Sequence, residues 1–348
     1  MKKNKIAVAG NILVDHLYPI AGWPERGQLT TILDGIGQSV GGAVCNVGID
    51  LKRLLPDTEI AALGLVGEDE AGDFALREME REGVDVSLVG RQGVTSFTAV
   101  MSDTVSRERT FFQYRGANAL FSEDSIPWDA LDCDILHVAY ILLLDALDAE
   151  DAEYGTKLAR LLCHAKERGI RTSVDVVSET GERFRRIVPP ALRYADFCVI
   201  NEIEAGRTTG IELRAADGSL RTENIRPCLK ALFGLGVGEW AVIHCPEGGF
   251  GMDRAGTFAS YGQIPTPEGY IRGKVGAGDA FCAGVLAAAH RGMTLAEALK
   301  LGNAAATVSL NAPGATEAMR TAEECLSITD AFGEPVCVRI PGEEEAAK

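Results

Sequence analysis

The segment Gly276-Ala277-Gly278-Asp279 sets two glycines and a carboxylate at the threshold of an apolar helix that continues Ala280-Phe281-Cys282-Ala283. Glycines let a backbone come close to a ligand. The first N–H groups of a helix lack intrahelical partners, and the helix dipole adds partial positive charge in front of them. The amides of Gly276, Ala277 and Gly278 are therefore candidates for an anion hole. A carboxylate beside such a hole suits phosphoryl transfer to an alcohol: Asp279 accepts the hydroxyl proton while the amides neutralise charge on the migrating group. The competing role for Asp279 is an ordinary helix cap, but a cap needs only one of the two glycines. The stretch is not a Walker loop. Gly269 stands one residue too near Gly273-Lys274, and Val275 occupies the place where Ser or Thr would hold magnesium.

Composition narrows the setting for this chemistry. The chain has 348 residues, 24% of them charged and 46% hydrophobic, which suits a folded protein of two domains or one large elaborated domain. The longest uncharged stretch, 301–316, contains Asn, Gly and Pro and is no membrane span. The N-terminus is basic, but its apolar run ends at Gly10 and Asp15 follows, so no export signal is expected and the expected location is cytoplasmic. A net charge of −16 excludes a general attraction to nucleic acid or anionic membranes, so any anion must be held by a local device. The 9 Cys include no CxxC pair and the 5 His no HExxH. Buried reduced thiols are expected, and no metal site built from protein ligands alone.

The elements that must position the anion hole follow from hydrophobic periodicity. Residues 5–10 read as a buried strand broken at a glycine, and Gly41-Gly42 opens an amphipathic helix over 43–55. A strand at 60–65, a helix at 71–82 and a short strand at 86–89 come next. From 135 onward the pattern alternates strictly: strand 135–138, helix 149–168, strand 171–176, helix 182–192, strand 197–200, helix 202–209. Further on lie a helix near 225–233, a strand at 240–244, a glycine-rich ribbon at 248–261, and helices at 278–291 and 295–311. Such alternation predicts an α/β fold with a mostly parallel central sheet and helices on both faces. Two β-only patches, 12–40 and 95–118, alternate polar and apolar residues and are expected to form one small projecting sheet. Residues 334–348 read as a frayed tail.

With these residues in place, the sequence resembles the PfkB, or ribokinase-like, carbohydrate kinases. Gly276-Ala277-Gly278-Asp279 resembles their second signature. Gly41-Gly42-Ala43-Val44-Cys45-Asn46, with Gly64-Leu65-Val66-Gly67-Glu68-Asp69 and Gly72, resembles the first. Asp15 after Gly10-Asn11 is similar to the substrate-binding aspartate, and Asn201-Glu202-Ile203-Glu204 to the NxxE motif tied to magnesium and phosphate. The resemblance runs in order over about residues 5–316. It implies a ribokinase-like α/β core (1–11, 41–94 and 119–333) and a β lid (12–40 and 95–118). It also implies ATP and Mg2+ as cofactors and Asp279 as catalytic base. Sugar hydroxyls would be held by Asp15, Gly42 and Asn46, and the nucleotide by Asn201, Glu204, His244, Gly249 and Asn303. Magnesium would arrive with ATP near Asn201 and Glu204.

Arg115, in Tyr114-Arg115-Gly116-Ala117-Asn118, suits a substrate carboxylate, a phosphate, or an ordinary surface role. Asn46 and Asp15 have plain structural readings too, as a buried polar residue and a turn residue. The chain departs from the family at Gly273-Lys274, where relatives often carry Asp-Thr, which leaves a monovalent cation open. In His244-Cys245-Pro246-Glu247-Gly248-Gly249 only Gly249 matches clearly, and Asp175-Val176-Val177 lacks the DxN of some sugar-acid kinases. Rival readings are weaker. Gly37-Gln38-Ser39-Val40-Gly41 matches a hydrolase elbow but follows an exposed strand rather than a core one. A non-catalytic sensor would need no base, and no G-x-G-x-x-G follows a strand as an oxidoreductase would require. The expectation is an ATP-dependent kinase acting on a hydroxyl, by preference a primary one, of a small sugar-like substrate. A nucleoside is the alternative acceptor, and exposed lid strands suggest a homodimer.

Overall fold

The apolar run at the N-terminus, Lys5–Gly10, becomes an interior strand of a nine-stranded sheet in a computed structural model that describes residues 4–106, 108–179 and 181–341. The strand order across the sheet is Phe258–Gly262, Gly248–Asp253, Trp240–Cys245, Phe197–Asn201, Arg171–Val176, Ile135–Ile141, Lys5–Gly10, Glu59–Val66, Val89–Arg91. Every neighbouring pair is parallel except the two antiparallel pairs at the Phe258–Gly262 edge. Because the central strands are covered on both faces, they are apolar at successive positions rather than at alternate ones. Ala7 and Ala9 enter one core layer while Ile6 and Val8 enter the other, and Leu63 and Ala62 divide in the same way.

Two runs of chain build out from Lys5–Gly10 in opposite directions. The early strands Glu59–Val66 and Val89–Arg91 add to one side, and Ile135–Ile141 and its successors to the other. The crevice outside the carboxyl ends of the strands at such a reversal is where open α/β sheets bind ligands.

The two β-only patches meet in one four-stranded sheet, in the order Gly37–Gly41, Leu13–Ile20, Ser96–Asp103, Arg109–Tyr114. Leu13–Ile20 pairs parallel with Ser96–Asp103 across eight residues, from Leu13↔Ser96 to Ile20↔Asp103. Asp69 anchors the base of this sheet to the core: it caps the helix Glu70–Arg81 through the Gly72 N–H (2.8 Å) and accepts the Thr95 N–H (2.8 Å). The Gly72 signature position is thus a structural joint.

Some elements differ from the sequence expectation. Only the ends of 12–40 are strands, because Trp23-Pro24-Glu25-Arg26-Gly27 turns the chain, with Gly27 at φ 83°. The helix expected over 149–168 starts at Lys157. Asp151 accepts the N–H groups of Glu153 and Tyr154, a turn that competes with helix, and Thr156 caps the later start through the Ala159 N–H. The segment 334–341, read as frayed, docks in part: Val336 pairs with Gln263, and Ile340 is buried. The remainder of that tail, 342–348, lies outside the described residues. Among the described residues no helix is long and apolar enough to cross a membrane.

Candidate active site

Asn11, the residue after the central strand, joins three elements at the carboxyl edge. Its Oδ1 accepts the Tyr140 N–H (2.8 Å) at the end of the neighbouring strand, and its carbonyl accepts the Val44 N–H (3.1 Å) of the helix Ala43–Leu54. Gly42 starts that helix at φ 86°, where an added Cβ would stand 2.5 Å from the Asn11 carbonyl oxygen. Only glycine permits this approach.

Asp279 lies in the first turn of the helix Ala277–Arg291 and is 8% exposed. Its carboxylate does not cap the helix. One oxygen accepts the Asn46 Nδ2–H (2.9 Å) and the other the Tyr140 hydroxyl (2.6 Å). Burial pushes the Asp279 carboxyl up, and those two donors oppose the shift without cancelling it. Gly276 begins the helix in the left-handed region (φ 78°), and no side chain caps the end. The Ala277 N–H turns back toward the Lys274 carbonyl at 3.4 Å, so that amide is less free than the sequence suggested.

Of the other predicted acceptor-side residues, Asn46 contacts Asp279 directly, while Asp15 and Arg115 are placed by other partners. Asp15, on the strand Leu13–Ile20, sets its Oδ2 against Gly41 at the start of the helix carrying Asn46, and burial raises its carboxyl. Asn46 is buried, and its Oδ1 has no partner among the described residues. Arg115 reaches the Leu142 carbonyl through Nη2 (3.4 Å), while its buried Nη1 has no partner among the described residues. Arg183 donates to the same carbonyl at 3.2 Å. Two guanidiniums therefore converge two residues beyond Tyr140.

On the other side of the Ala277–Gly278 turn opens a cavity of about 480 Å³. His244, Ile264, Lys274, Phe281, Asn303 and Leu310 contribute to its lining. Burial depresses the His244 imidazole to about 4, so the ring is neutral; it packs on Phe281 and against Gly278. Gly249, expected on the nucleotide side, packs closely on its neighbours: a Cβ there would meet the Phe281 ring at 2.8 Å and Asn303 Nδ2 at 2.9 Å. Asn303 donates to the Leu299 carbonyl (2.8 Å) and keeps a place on the cavity wall.

Asn201 and Glu204, expected near magnesium and phosphate, are tied to each other. They form a reciprocal capping box on the helix Glu202–Thr209. Asn201 Oδ1 accepts the Ile203 and Glu204 N–H groups, and Glu204 accepts the Asn201 N–H (2.9 Å) and the Ser178 hydroxyl (2.8 Å). Even so, burial raises Glu204 to about 7. Asp175, at the end of its strand, is pushed well up by burial and by the Glu204 and Asp279 carboxylates. Among the described residues no three His, Cys, Asp or Glu side chains form a metal-binding group by themselves. The oxygen donors are nonetheless of the hard type that suits magnesium shared with phosphates.

Sequence reasoning gave no role to Tyr140, Asn11 or Asp175. Each was a polar group ending an apolar strand, a signal too common to single out a site.

A family model described as pfkB family carbohydrate kinase matches residues 3–322. The chain belongs to this family. The family comprises phosphotransferases that act on carbohydrate hydroxyls. The chain is similar to the 2-dehydro-3-deoxygluconokinase of Bacillus subtilis (strain 168), at 26% identity covering 84% of this chain and 87% of the relative. It is also similar to the fructoselysine 6-kinase of Escherichia coli (strain K12), at 29% identity covering 79% and 91%. The fold matches that of Arabidopsis thaliana ribokinase complexed with ribose and ATP, with a TM-score of 0.77 at 19% identity over 94% of this chain and 99% of that one.

Proposed function

We propose that this pfkB-family kinase transfers the γ-phosphoryl group of ATP to a hydroxyl, by preference a primary one, of a sugar or sugar acid, with Asp279 as base. The observation that carries the reading is the carboxylate of Asp279, buried at an uncapped helix N-terminus and held by Asn46 and Tyr140 instead of by its own helix. Asp279 takes the proton of the acceptor hydroxyl as the new O–P bond forms and the bond to the departing ADP oxygen breaks. The amides of Gly278 and its neighbours face the charge that develops on the phosphoryl oxygens. Burial keeps the proton affinity of Asp279 above that of an ordinary carboxylate, which suits a base that must hold the proton it takes. Asp15, Gly42 and Asn46 orient the acceptor hydroxyls.

The cavity beside His244 and Asn303 takes the nucleotide, and Lys274 on its wall supplies a fixed positive charge. Magnesium supplies charge neutralisation at the phosphates, and Asp175 and Glu204 are the residues that would hold it. The four-stranded sheet acts as a lid that excludes water and so suppresses ATP hydrolysis. Its exposed Leu29, Ile36, Phe111 and Phe112 suit a homodimer contact. The expected setting is cytoplasmic.

The sugar-acid class is favoured by Arg115, whose buried Nη1 lacks a partner among the described residues while its Nη2 shares the Leu142 carbonyl with Arg183. Two relatives are named as acid-sugar kinases, 2-dehydro-3-deoxygluconokinase and 5-dehydro-2-deoxygluconokinase. The test is ADP release with Mg-ATP across hexoses, pentoses, ketoses, sugar acids and nucleosides. Turnover with one acceptor, falling at least ~100-fold in Asp279→Asn, is the expected result. Silence in every well, with ATP binding intact by calorimetry, would return the chain to a sensor. In Arg115→Gln the KM for an acid acceptor should rise more than that for its neutral analogue.

A further inference from the structure

Asp50 lies in the middle of the helix Ala43–Leu54, is 0% exposed, and offers two carboxyl oxygens that have no hydrogen-bond partner among the described residues. A buried carboxylate without a donor is among the costliest groups a core can hold. Its surroundings make ionisation worse. The helix packs on Ala277–Arg291, which presents Asp279, and on Ala322–Asp330, which presents Cys325. The strands beneath, Lys5–Gly10 and Glu59–Val66, present apolar side chains such as Ile6, Val8, Ile60 and Ala62. Arg53, on the same helix, is the cation within electrostatic reach, but it is bound to Glu82 and to the Thr316 carbonyl. Burial first, then Asp279, pushes the Asp50 carboxyl well up.

A neutral carboxylic acid is a donor. One helical turn before Asp50, at i−4 on the same face, stands Asn46, whose Oδ1 is a buried acceptor without a partner. Orphans of opposite kind thus stand one turn apart, and a single proton pairs one Asp50 oxygen with Asn46 Oδ1, directly or through one water. The other end of the same amide is the Nδ2 that donates to Asp279.

We propose that Asp50 is a positioning residue: its carboxylic O–H donates to Asn46 Oδ1 and fixes the amide that holds Asp279. The series runs Asp50 to Asn46 to Asp279, each donating to the next, with Tyr140 donating from the opposite side. A donor at Oδ1 polarises the amide and strengthens its N–H toward the base. The same amide also lies within hydrogen-bonding reach of the Tyr140 hydroxyl, so fixing it orders both partners of the base. The inference rests on Asp279 being the base, and it is chosen so that its failure can be told from failure of that reading.

Two measurements decide it. Infrared difference spectroscopy of the wild type against Asp50→Asn reads the protonation state without any turnover. The expected result is a protonated-acid carbonyl band assigned to Asp50 from about pH 6 to about pH 8, and an ionised carboxylate band there overturns the proposal. Kinetics of Asp50→Leu and Asp50→Asn then read its role. Asp50→Leu, which removes the donor, should lower kcat ~10-fold and move the acid limb of the kcat profile to higher pH, with KM for ATP unchanged. Asp50→Asn keeps a neutral donor and should recover most of that loss. A merely structural Asp50 predicts a lower melting temperature with the acid limb unmoved in both variants, and that outcome also overturns the proposal. If the wild type phosphorylates no acceptor, the kinase reading fails, and the infrared band still decides where the proton resides.

Discussion

The helices Ala277–Arg291 and Glu202–Thr209 both bring their N-termini to the wall of the cavity beside His244, and they end in opposite ways. The second is closed by its own side chains: Asn201 accepts two N–H groups and Glu204 reaches back to a third. The first starts at a left-handed glycine with no side-chain cap, and its acidic residue, Asp279, points away to Asn46 and Tyr140. A capped terminus has used its donors on folding, whereas an uncapped one keeps them for a ligand. Similar residue types, an acid in the first turn and a small or polar cap, thus close one terminus and leave the other open.

Substitution should separate the two ends. The largest effect is expected at Gly276. Alanine there is strained at φ 78° and would place its Cβ 2.6 Å from that of Ala315, displacing the open terminus. Gly276→Ala should cut kcat ~100-fold in steady-state assays, because small misplacements of reacting groups are that damaging. Tyr140→Phe removes one donor from Asp279 and leaves Asn46. It should lower kcat ~10-fold and shift the acid limb to higher pH, since the lost hydrogen bond was lowering the proton affinity of the base. At the closed terminus the balance reverses. Asn201→Ala should cost ~1 kcal/mol in urea unfolding with a smaller effect on kcat, as loss of a cap does. A hundredfold kcat loss in that variant would mean that Asn201 touches the phosphates and that the contrast between the termini is wrong.

The smallest effect is on stability against pH. Glu204 is raised to about 7 and Asp148 to about 6, both by burial, against ordinary values near 4. The native state therefore binds more protons than the unfolded chain across that window, and stability falls as pH rises through it. Melting temperature should decline from about pH 5 to about pH 7.5, less steeply in Glu204→Gln, which keeps the capping geometry. Magnesium with nucleotide should flatten the decline if Glu204 and Asp175 face the ion, and a decline unchanged by it would sink that assignment.

Much of the fold was legible because parallel strands buried on both faces leave continuous apolar runs, as at 5–10 and 197–200, and helices between them leave a 3.6-residue period. Boundaries failed where side chains competed with the backbone, as Asp151 and Thr156 do before Lys157. In the candidate site, Asp279, Asn46, Asp15 and Gly42 could be singled out from local motifs, and the structure brings Asn46 against Asp279. Tyr140 was not, because it lies 139 residues from Asp279 in the chain and meets it only when two elements dock. The packing at Gly249 was not legible for the complementary reason: a glycine in a strand looks the same whether a ligand or a neighbouring ring comes close.

By itself, the sequence determined the alternation of elements, the glycine-opened helix ahead of Asp279 and the absence of any general pull on polyanions, since each follows from local residue type and spacing. Tertiary structure decided which groups share a proton or a hydrogen bond. Whether Asp279 caps its helix or faces a substrate, whether Asn201 and Glu204 hold an ion or a helix, and whether Asp50 is charged depend on burial and on partners far away in the chain. Those are properties of the packed interior, where losing water makes an unpaired charge expensive and a well-placed donor decisive.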